Sequence, residues 1–278
     1  MTETPTYEIP TYEIPTYEIL ALRYATQAER PASANLLLPD DHASPMPIDY
    51  FVWAIRGGGR CIVVDTGFGP AAAARRGRIL MRSPAAALAA AGIDAVTVAD
   101  VVLTHLHYDH AGCLDAFPAA TFHLQDKEMA YSTGRPMCHR ALRLPVDLDD
   151  VLNAVRHVFA DRVRFHDGTA TLAPGVTLHL VGGHSGGLQV VRVRTARGSV
   201  VLASDAAHYW ANIRTRNPFP LVADVLAMAE GWRTCEELAD GPDHVIPGHD
   251  PLVLARFPAV PGLLDTVRVD LPPVDPAR

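Results

Sequence analysis

The sequence has no cluster of lysines and arginines, no closely spaced cysteine pair and no long apolar run, and each absence removes a class of function. A formal net charge of -7 over 278 residues, without any basic run, offers no electrostatic footprint for nucleic acid and argues against an anionic membrane surface as partner. The cysteines Cys61, Cys113, Cys138 and Cys235 are scattered, with no C-x-x-C pair, so neither a structural zinc knuckle nor a dithiol redox site is expected. Reduced thiols in a cytoplasmic protein are the simplest reading. No apolar stretch approaches the ~20 residues that span a membrane, and no basic segment followed by an apolar one marks a secretory signal. The expected partner is a small molecule. The oligomeric state stays open, a homodimer included.

What is present is an ordinary globular composition, 49% apolar and 20% charged, enough for a large core. The chain opens oddly with "TYEIPTYEIPTYEI", copies of one tetrapeptide spaced by proline from Thr6 to Ile19. Proline at every fifth position breaks helix and central strand alike, so residues 1–16 are expected to form a loose extension. Only the third copy runs without proline into "YEILALRYA", a strand pattern. Residues 17–257 then read as one domain, and the proline-rich stretch 258–278 as an irregular tail.

Within the domain, "YFVWAIRGGGRCIVVDTG" reads as a hairpin turning at Gly57 to Gly59. "SPAAALAAAG" reads as a helix with Ser83 as N-cap, Pro84 in its first position and Gly92 just past its end. Strands at "DVVLTH" and "TFHLQ", a helix at "DKEMAYSTG", and further strands at "GVTLHL", "LQVVRVRT", "GSVVLAS" and "HVIP" give an α/β alternation in two similar halves. In "DLDDVLNAVRHVFA", Leu148, Val151, Leu152, Val155 and Phe159 share one helical face, expected to be mostly core.

The chemistry is concentrated in "LTHLHYDHAG", where His105, His107, Asp109 and His110 follow the end of a strand. Imidazoles two apart point the same way only in extended chain, and nitrogen and oxygen donors without thiolate favour a catalytic over a structural zinc. His184 in "GGHSGG", Asp205 in "LASDAAH" and His249 in "IPGHD" each also follow a strand, beside small residues that permit tight turns. Such a set is not expected from chance. The remaining histidines, 42, 123, 139, 157, 166, 179 and 244, lack a ligand-like context.

The run from His105 to His110 matches H-x-H-x-D-H without a gap, and on it the chain resembles the metallo-β-lactamase superfamily from about Tyr17 to Phe257. The resemblance implies an αββα sandwich of two packed mixed β-sheets flanked by helices, with a site for two zinc ions, other divalent metals being compatible with the same donors. It further implies that His105, His107 and His184 hold one ion, that Asp109, His110 and His249 hold the second, and that Asp205 bridges them. Asp65 in "VVDTG" matches the position that supports the ligand loop, although a strand-end turn residue would look the same. Exported β-lactamases, flavo-diiron oxidases and RNA-processing branches are disfavoured by the ligand set, by His107 where a glutamate would stand, and by the lack of added domains or basic surface.

"PIDYFVWAIRGGG", "HLQDKEMAYSTGR" and "SDAAHYWANI" further resemble the N-acyl homoserine lactonase branch, which opens the lactone ring of quorum-sensing signals. That implies attack of a metal-bridging hydroxide on the lactone carbonyl, with Asp109 passing a proton to the leaving alkoxide. One departure touches the substrate. Those lactonases carry a tyrosine three residues after the bridging aspartate, where this chain has His208, with Tyr209 one later; either is a candidate for the catalytic contact. Met46, Met129, Tyr131 and Met137 are candidates for an apolar acyl tunnel, ordinary core packing being the alternative. Another lactone or a thioester is the second reading of the substrate, and a non-catalytic binder the third of the function.

Overall fold

Successive side chains of a strand point to opposite faces, and in this chain both faces are apolar. In β1 (Glu18–Gln27) and β2 (Ile48–Gly57), Leu20, Leu22, Tyr50 and Val52 pack to one side and Ile19, Ala21, Phe51 and Trp53 to the other. A sheet built this way needs cover on both faces. The computed structural model, which describes residues 14–38 and 44–274, supplies it as a four-layer αββα sandwich. The first repeat copy, most of the second, His42 and Pro276 lie outside the described residues.

The first sheet adds β3 (Arg60–Val64), β4 (Ile79–Leu80), β5 (Asp100–Val102), β6 (Thr121–Gln125) and β7 (Val163–His166). The second comprises β8 (Thr169–Ala173), β9 (Val176–Leu180), β10 (Gln189–Thr195), β11 (Gly198–Ser204) and β12 (Val245–Pro247). With β13 (Thr266–Arg268), the first runs in the order β13-β1-β2-β3-β5-β6-β7, with β4 beside β1; the second runs β12-β11-β10-β9-β8. Both are mixed. β3, β5, β6 and β7 are mutually parallel in one, β11 and β12 in the other, and the remaining pairs are antiparallel.

Three apolar layers follow. Between the sheets lie Ile19, Phe51, Trp53, Val64 and Val102 against Val176, Leu178, Val191, Val200 and Leu202. Outside the first sheet pack α1 (Pro70–Arg76), α2 (Pro84–Ala90), α3 (Tyr108–Ala111), α4 (Asp126–Thr133) and α6 (Leu148–Phe159), with the single turn α5 (Arg140–Arg143) between the last two. Outside the second pack α7 (Trp210–Thr215) and α8 (Val225–Leu238), through Ile213, Met228, Trp232 and Cys235; α9 (Leu252–Arg256) closes the rim. The expected cap of α2 is present, Ser83 Oγ accepting from Ala86 N at 3.1 Å.

Two expectations are corrected. On α6 the buried residues are Val151, Ala154 and His157, whereas Leu148, Leu152 and Phe159 are 71%, 40% and 86% exposed. The helix lies on its face of smaller side chains, which lets it come close to the sheet and turns the bulkier stripe outward. The segment after Phe257 is likewise not merely irregular. Its prolines flank β13 rather than interrupt it, so β13 pairs antiparallel with β1, Val267 and Val269 are buried, and Ile19 N donates to Asp270 Oδ1 at 2.9 Å. At the other end the third repeat copy enters β1, and Tyr17 is fixed by its N to Arg194 O and its hydroxyl to Pro174 O, both 2.9 Å.

Truncation after Phe257 should therefore cost stability. Two fully buried valines are worth about 1.5–3 kcal/mol each, so a loss of at least about 3 kcal/mol is expected from urea unfolding. An unchanged midpoint would show that the segment is dispensable.

Candidate metal centre

Every ligand-type side chain of the expected set stands beyond the end of a strand, on the rim where the two sheets meet. His105 and His107 follow β5; Asp109 and His110 lie in α3; His184 sits between β9 and β10; Asp205 follows β11 and His249 follows β12. Asp65 after β3 and Ser204 at the end of β11 adopt left-handed backbone, φ 63° and 45°, although both carry a Cβ. Such conformations persist only where surrounding bonds over-determine them.

The centre is organised on Asp205, whose two oxygens face two different histidine groups. Oδ2 lies 3.1 Å from His184 Nε2 and 3.8 Å from His105 Nε2; Oδ1 lies 3.0 Å from His249 Nε2 and 3.3 Å from His110 Nε2. His107 Nδ1 is 2.9 Å from His184 Nε2, and Asp109 is 3.8 Å from both His110 Nε2 and His249 Nε2. His105, His107, His184 and Asp205 thus form one compact donor group, and Asp109, His110 and His249 another.

These residues fit divalent cations. Buried atoms normally find hydrogen-bond partners, yet His105 Nε2, His110 Nε2, His249 Nε2 and Asp205 Oδ1 have none, and all four point into this cluster. The opposite imidazole nitrogens are held by the protein: His110 Nδ1 by Asp65 Oδ2 at 2.7 Å, His249 Nδ1 by Asp49 O at 2.8 Å, and His105 Nδ1 by Thr104 Oγ1 at 3.1 Å. Fixing one nitrogen aims the other, which is how ligand histidines are oriented.

Behind the donors lies a layer of acceptors. Asp65 also takes Thr104 N at 2.8 Å and Thr104 Oγ1 at 2.9 Å, and Thr104 Oγ1 receives Ser204 Oγ at 2.9 Å, so the turns after β3, β5 and β11 are stitched together. Glu128, fully buried in α4, accepts from Leu106 N and Gly187 N at 2.9 Å each and from Ser185 Oγ at 2.7 Å. It joins the His107 and His184 loops. A Cβ on Gly187 would stand 2.1 Å from Glu128 N, so only glycine allows that approach. Sequence reading missed Glu128; its one trace is an acidic residue beside Met129 on the inward side of a helix.

Electrostatics divides the histidines. Burial, reinforced by neighbouring imidazoles, holds His105 and His107 well below the ordinary imidazole range. Burial pushes His110 and His249 the same way, but Asp205 with Asp65 and Asp109 carries His110 well above that range, and Asp205 with Asp109 raises His249. Burial would raise Asp205, yet His208, His249, His110 and His184 hold it well below the usual carboxylate range.

His208 and Tyr209 part company. His208 is buried, with Nε2 3.0 Å from Asp205 Oδ2 and its ring stacked on Phe219 at 3.6 Å between centroids. Tyr209 instead gives its hydroxyl to Pro47 O at 3.1 Å and starts α7, so it is outside the constellation. The four substrate candidates also separate. A cavity of about 10 Å³ beside the centre is lined by His107, His184, Tyr131, Ala141, Leu142, Pro145, Leu221 and Val222. Met46 and Met129 pack against the outer core, and Met137 is half-buried; none of the three lines that cavity, which Tyr131 does.

Residues 47–255 match the description Metallo-beta-lactamase superfamily. The chain belongs to the metallo-β-lactamase superfamily. Within this superfamily of metal-dependent hydrolases it is 30% identical over 182 residues to the N-acyl homoserine lactonase AttM of Azorhizobium caulinodans, covering 63% of this chain and 67% of that protein. It is 28% identical over 151 residues to the N-acyl homoserine lactonase of Bacillus thuringiensis, 54% of this chain and 55% of that one. The chain thus matches about two thirds or less of the length of these curated relatives. A solved N-acyl homoserine lactone hydrolase, with N-hexanoyl-L-homoserine bound at its catalytic metal center, superposes with a TM-score of 0.69 at 20% identity, over 84% of this chain and 93% of that one. A probable metal-dependent hydrolase from Staphylococcus aureus gives 0.71 at 13% identity, over 95% and 97%. At such identities the likeness establishes the metallo-β-lactamase fold.

Two outcomes follow for the metal-free protein. Because carboxylates raise His110 and His249 against the effect of burial, a cation must compete with protons for these imidazoles, so zinc uptake should release protons and tighten as pH rises. Calorimetry in two buffers of different protonation enthalpy measures this; equal heats would mean that both rings are already neutral. Glu128→Ala should weaken zinc binding by about 10–100-fold, with Glu128→Gln milder, in a chelator competition. Equal affinities would remove Glu128 from the support of the centre.

Proposed function

We propose that the protein is a dinuclear metal-dependent hydrolase that opens the lactone ring of N-acyl homoserine lactones. The observation that carries this reading is the division of Asp205, each carboxylate oxygen facing its own histidine group. On this reading His105, His107 and His184 hold one cation, Asp109, His110 and His249 the other, and Asp205 spans both. Zinc suits the donors, while manganese, iron or cobalt suit the same nitrogen and oxygen set. Two cations so held lower the pKa of water toward neutrality and polarise a carbonyl oxygen. The lactonase activity named for the AttM and Bacillus relatives supports the choice of substrate.

The chain's own residues then have separable tasks. Asp109, 9% exposed and the most open of the ligand set, would take up the proton released as water attacks the carbonyl and pass it to the ring oxygen as the C–O bond breaks. His208 keeps Asp205 in place through its 3.0 Å contact, and Phe219 keeps the His208 ring in plane. Tyr131, Leu142 and Leu221 form the wall that excludes water and meets the acyl chain. On this reading the enzyme works in the cytoplasm. A histidine on Asp205 in place of a substrate-facing tyrosine hydroxyl also supports a second reading, in which the ring is another small lactone or the bond a thioester.

Acid release in a pH-stat from zinc-loaded protein given short- and long-chain acyl homoserine lactones should be fast and abolished by a chelator. Silence with both metals bound would reject this substrate and favour the second reading. His208→Phe should lower turnover by ~10 to 100-fold, the scale expected when a residue that orients a ligand of the centre is lost. Unchanged kinetics at intact metal content would remove His208 from the mechanism.

A further inference from the structure

The stripe on α6 that sequence periodicity assigns to the core is presented to solvent instead: Leu148 is 71%, Leu152 40% and Phe159 86% exposed, and Val155 is half-buried. The helix does not need this stripe for its own packing, because Val151, Ala154 and His157 already fasten it to the domain. Other exposed apolar side chains, such as Ile79, Val96 and Leu264, belong to different elements. Here they recur at intervals of four, three and four residues, the spacing of a helix-to-helix seam. Exposed apolar surface with that order marks an interaction site.

The charges beside the seam identify the partner. Asp149 and Arg156, both exposed, occupy equivalent heptad positions on one flank, each directly after a residue of the stripe, Leu148 and Val155. Neither forms an ion pair among the described residues. Acidic residues fill the first turn of the helix, and basic ones the last. If the same helix from a second copy is laid antiparallel, Leu148 meets Phe159, Leu152 meets Val155, and Asp149 meets Arg156 on both sides of a twofold axis. Parallel docking would place the two charged flanks on opposite sides of the contact and pair neither charge.

We propose that the protein self-associates through α6, two copies packing the Leu148, Leu152, Val155 and Phe159 seams antiparallel. The contact is self-complementary, as a closed twofold interface requires. A helix of 12 residues presents less than the ~1,000 Å² of a stable interface, so the dimer forms in a concentration-dependent way, in the ~micromolar range. This inference does not depend on the substrate, and its test reads mass rather than turnover.

Sedimentation velocity of the zinc-loaded full chain from ~1 to ~100 µM should show monomer passing to dimer. Phe159→Ser and Leu152→Glu should each weaken association by about 100-fold or more, with helical circular dichroism and zinc content unchanged. Asp149→Arg, which sets cations opposite each other twice, should weaken it by about tenfold. Combining Asp149→Arg with Arg156→Asp should restore it. A chain that stays monomeric at ~100 µM overturns the proposal, as does a dimer indifferent to Phe159→Ser. Failure of the double exchange to restore association overturns the antiparallel arrangement.

Discussion

A carboxylate buried among imidazoles is the constraint around which this protein is arranged. Asp205 has almost no access to water and contacts four histidines within 3.3 Å: His184, His208, His249 and His110. A lone buried carboxylate would be costly and would shed its charge, but here positive charge drawn from either the imidazoles or bound cations keeps it ionised. His105 and His107, pressed toward neutrality, and His110 and His249, pressed toward the cationic form, are two responses to that one group. Two donor groups meet at this one carboxylate, an arrangement suited to divalent cations.

Holding such a cluster rigid falls to residues that never touch its interior. Asp65, Thr104 and Ser204 connect three strand ends, and Glu128 connects two loops through three donors. Gln189 adds a further tie, donating to Leu103 O and His123 O while accepting from Gln125. These bonds cross between the sheets, so the sandwich and the metal centre share one hydrogen-bond network. The left-handed backbone at Asp65 and Ser204 belongs to the same arrangement.

How far the sequence could be read depended on whether a feature was local. Capping at Ser83, the turn at Gly57 to Gly59 and the strand before His105 follow from neighbouring residues, and all appear where expected. The candidate ligand set was recoverable because His105, His107, Asp109 and His110 fall together in one short run after a strand, and His184, Asp205 and His249 each sit beside small residues after a strand. Periodicity on α6 could say that a stripe exists but not which side of the helix meets the sheet, since Val151 and Ala154 are as apolar in kind as Leu148 and Leu152. The role of Glu128 was invisible because its partners, Leu106, Ser185 and Gly187, are distant in the chain. The strand after Phe257 was hidden by prolines that bracket it. The choice between His208 and Tyr209 was open in the sequence, because the direction of Tyr209 depends on how α7 begins.

The loop over the cavity carries a consequence of its own. Pro145, one of the lining residues, accepts a hydrogen bond from Tyr108 N at 2.9 Å, the first amide of the turn that bears Asp109 and His110. The guanidinium of Arg76 lies 3.9 Å over the Tyr108 ring and also pairs with Asp147, just beyond that proline. Wall and ligand turn are thereby one mechanical unit. A substitution that shifts this wall will pull on the turn bearing Asp109 and His110, so the shape of the cavity and the placing of those two side chains cannot be tuned apart.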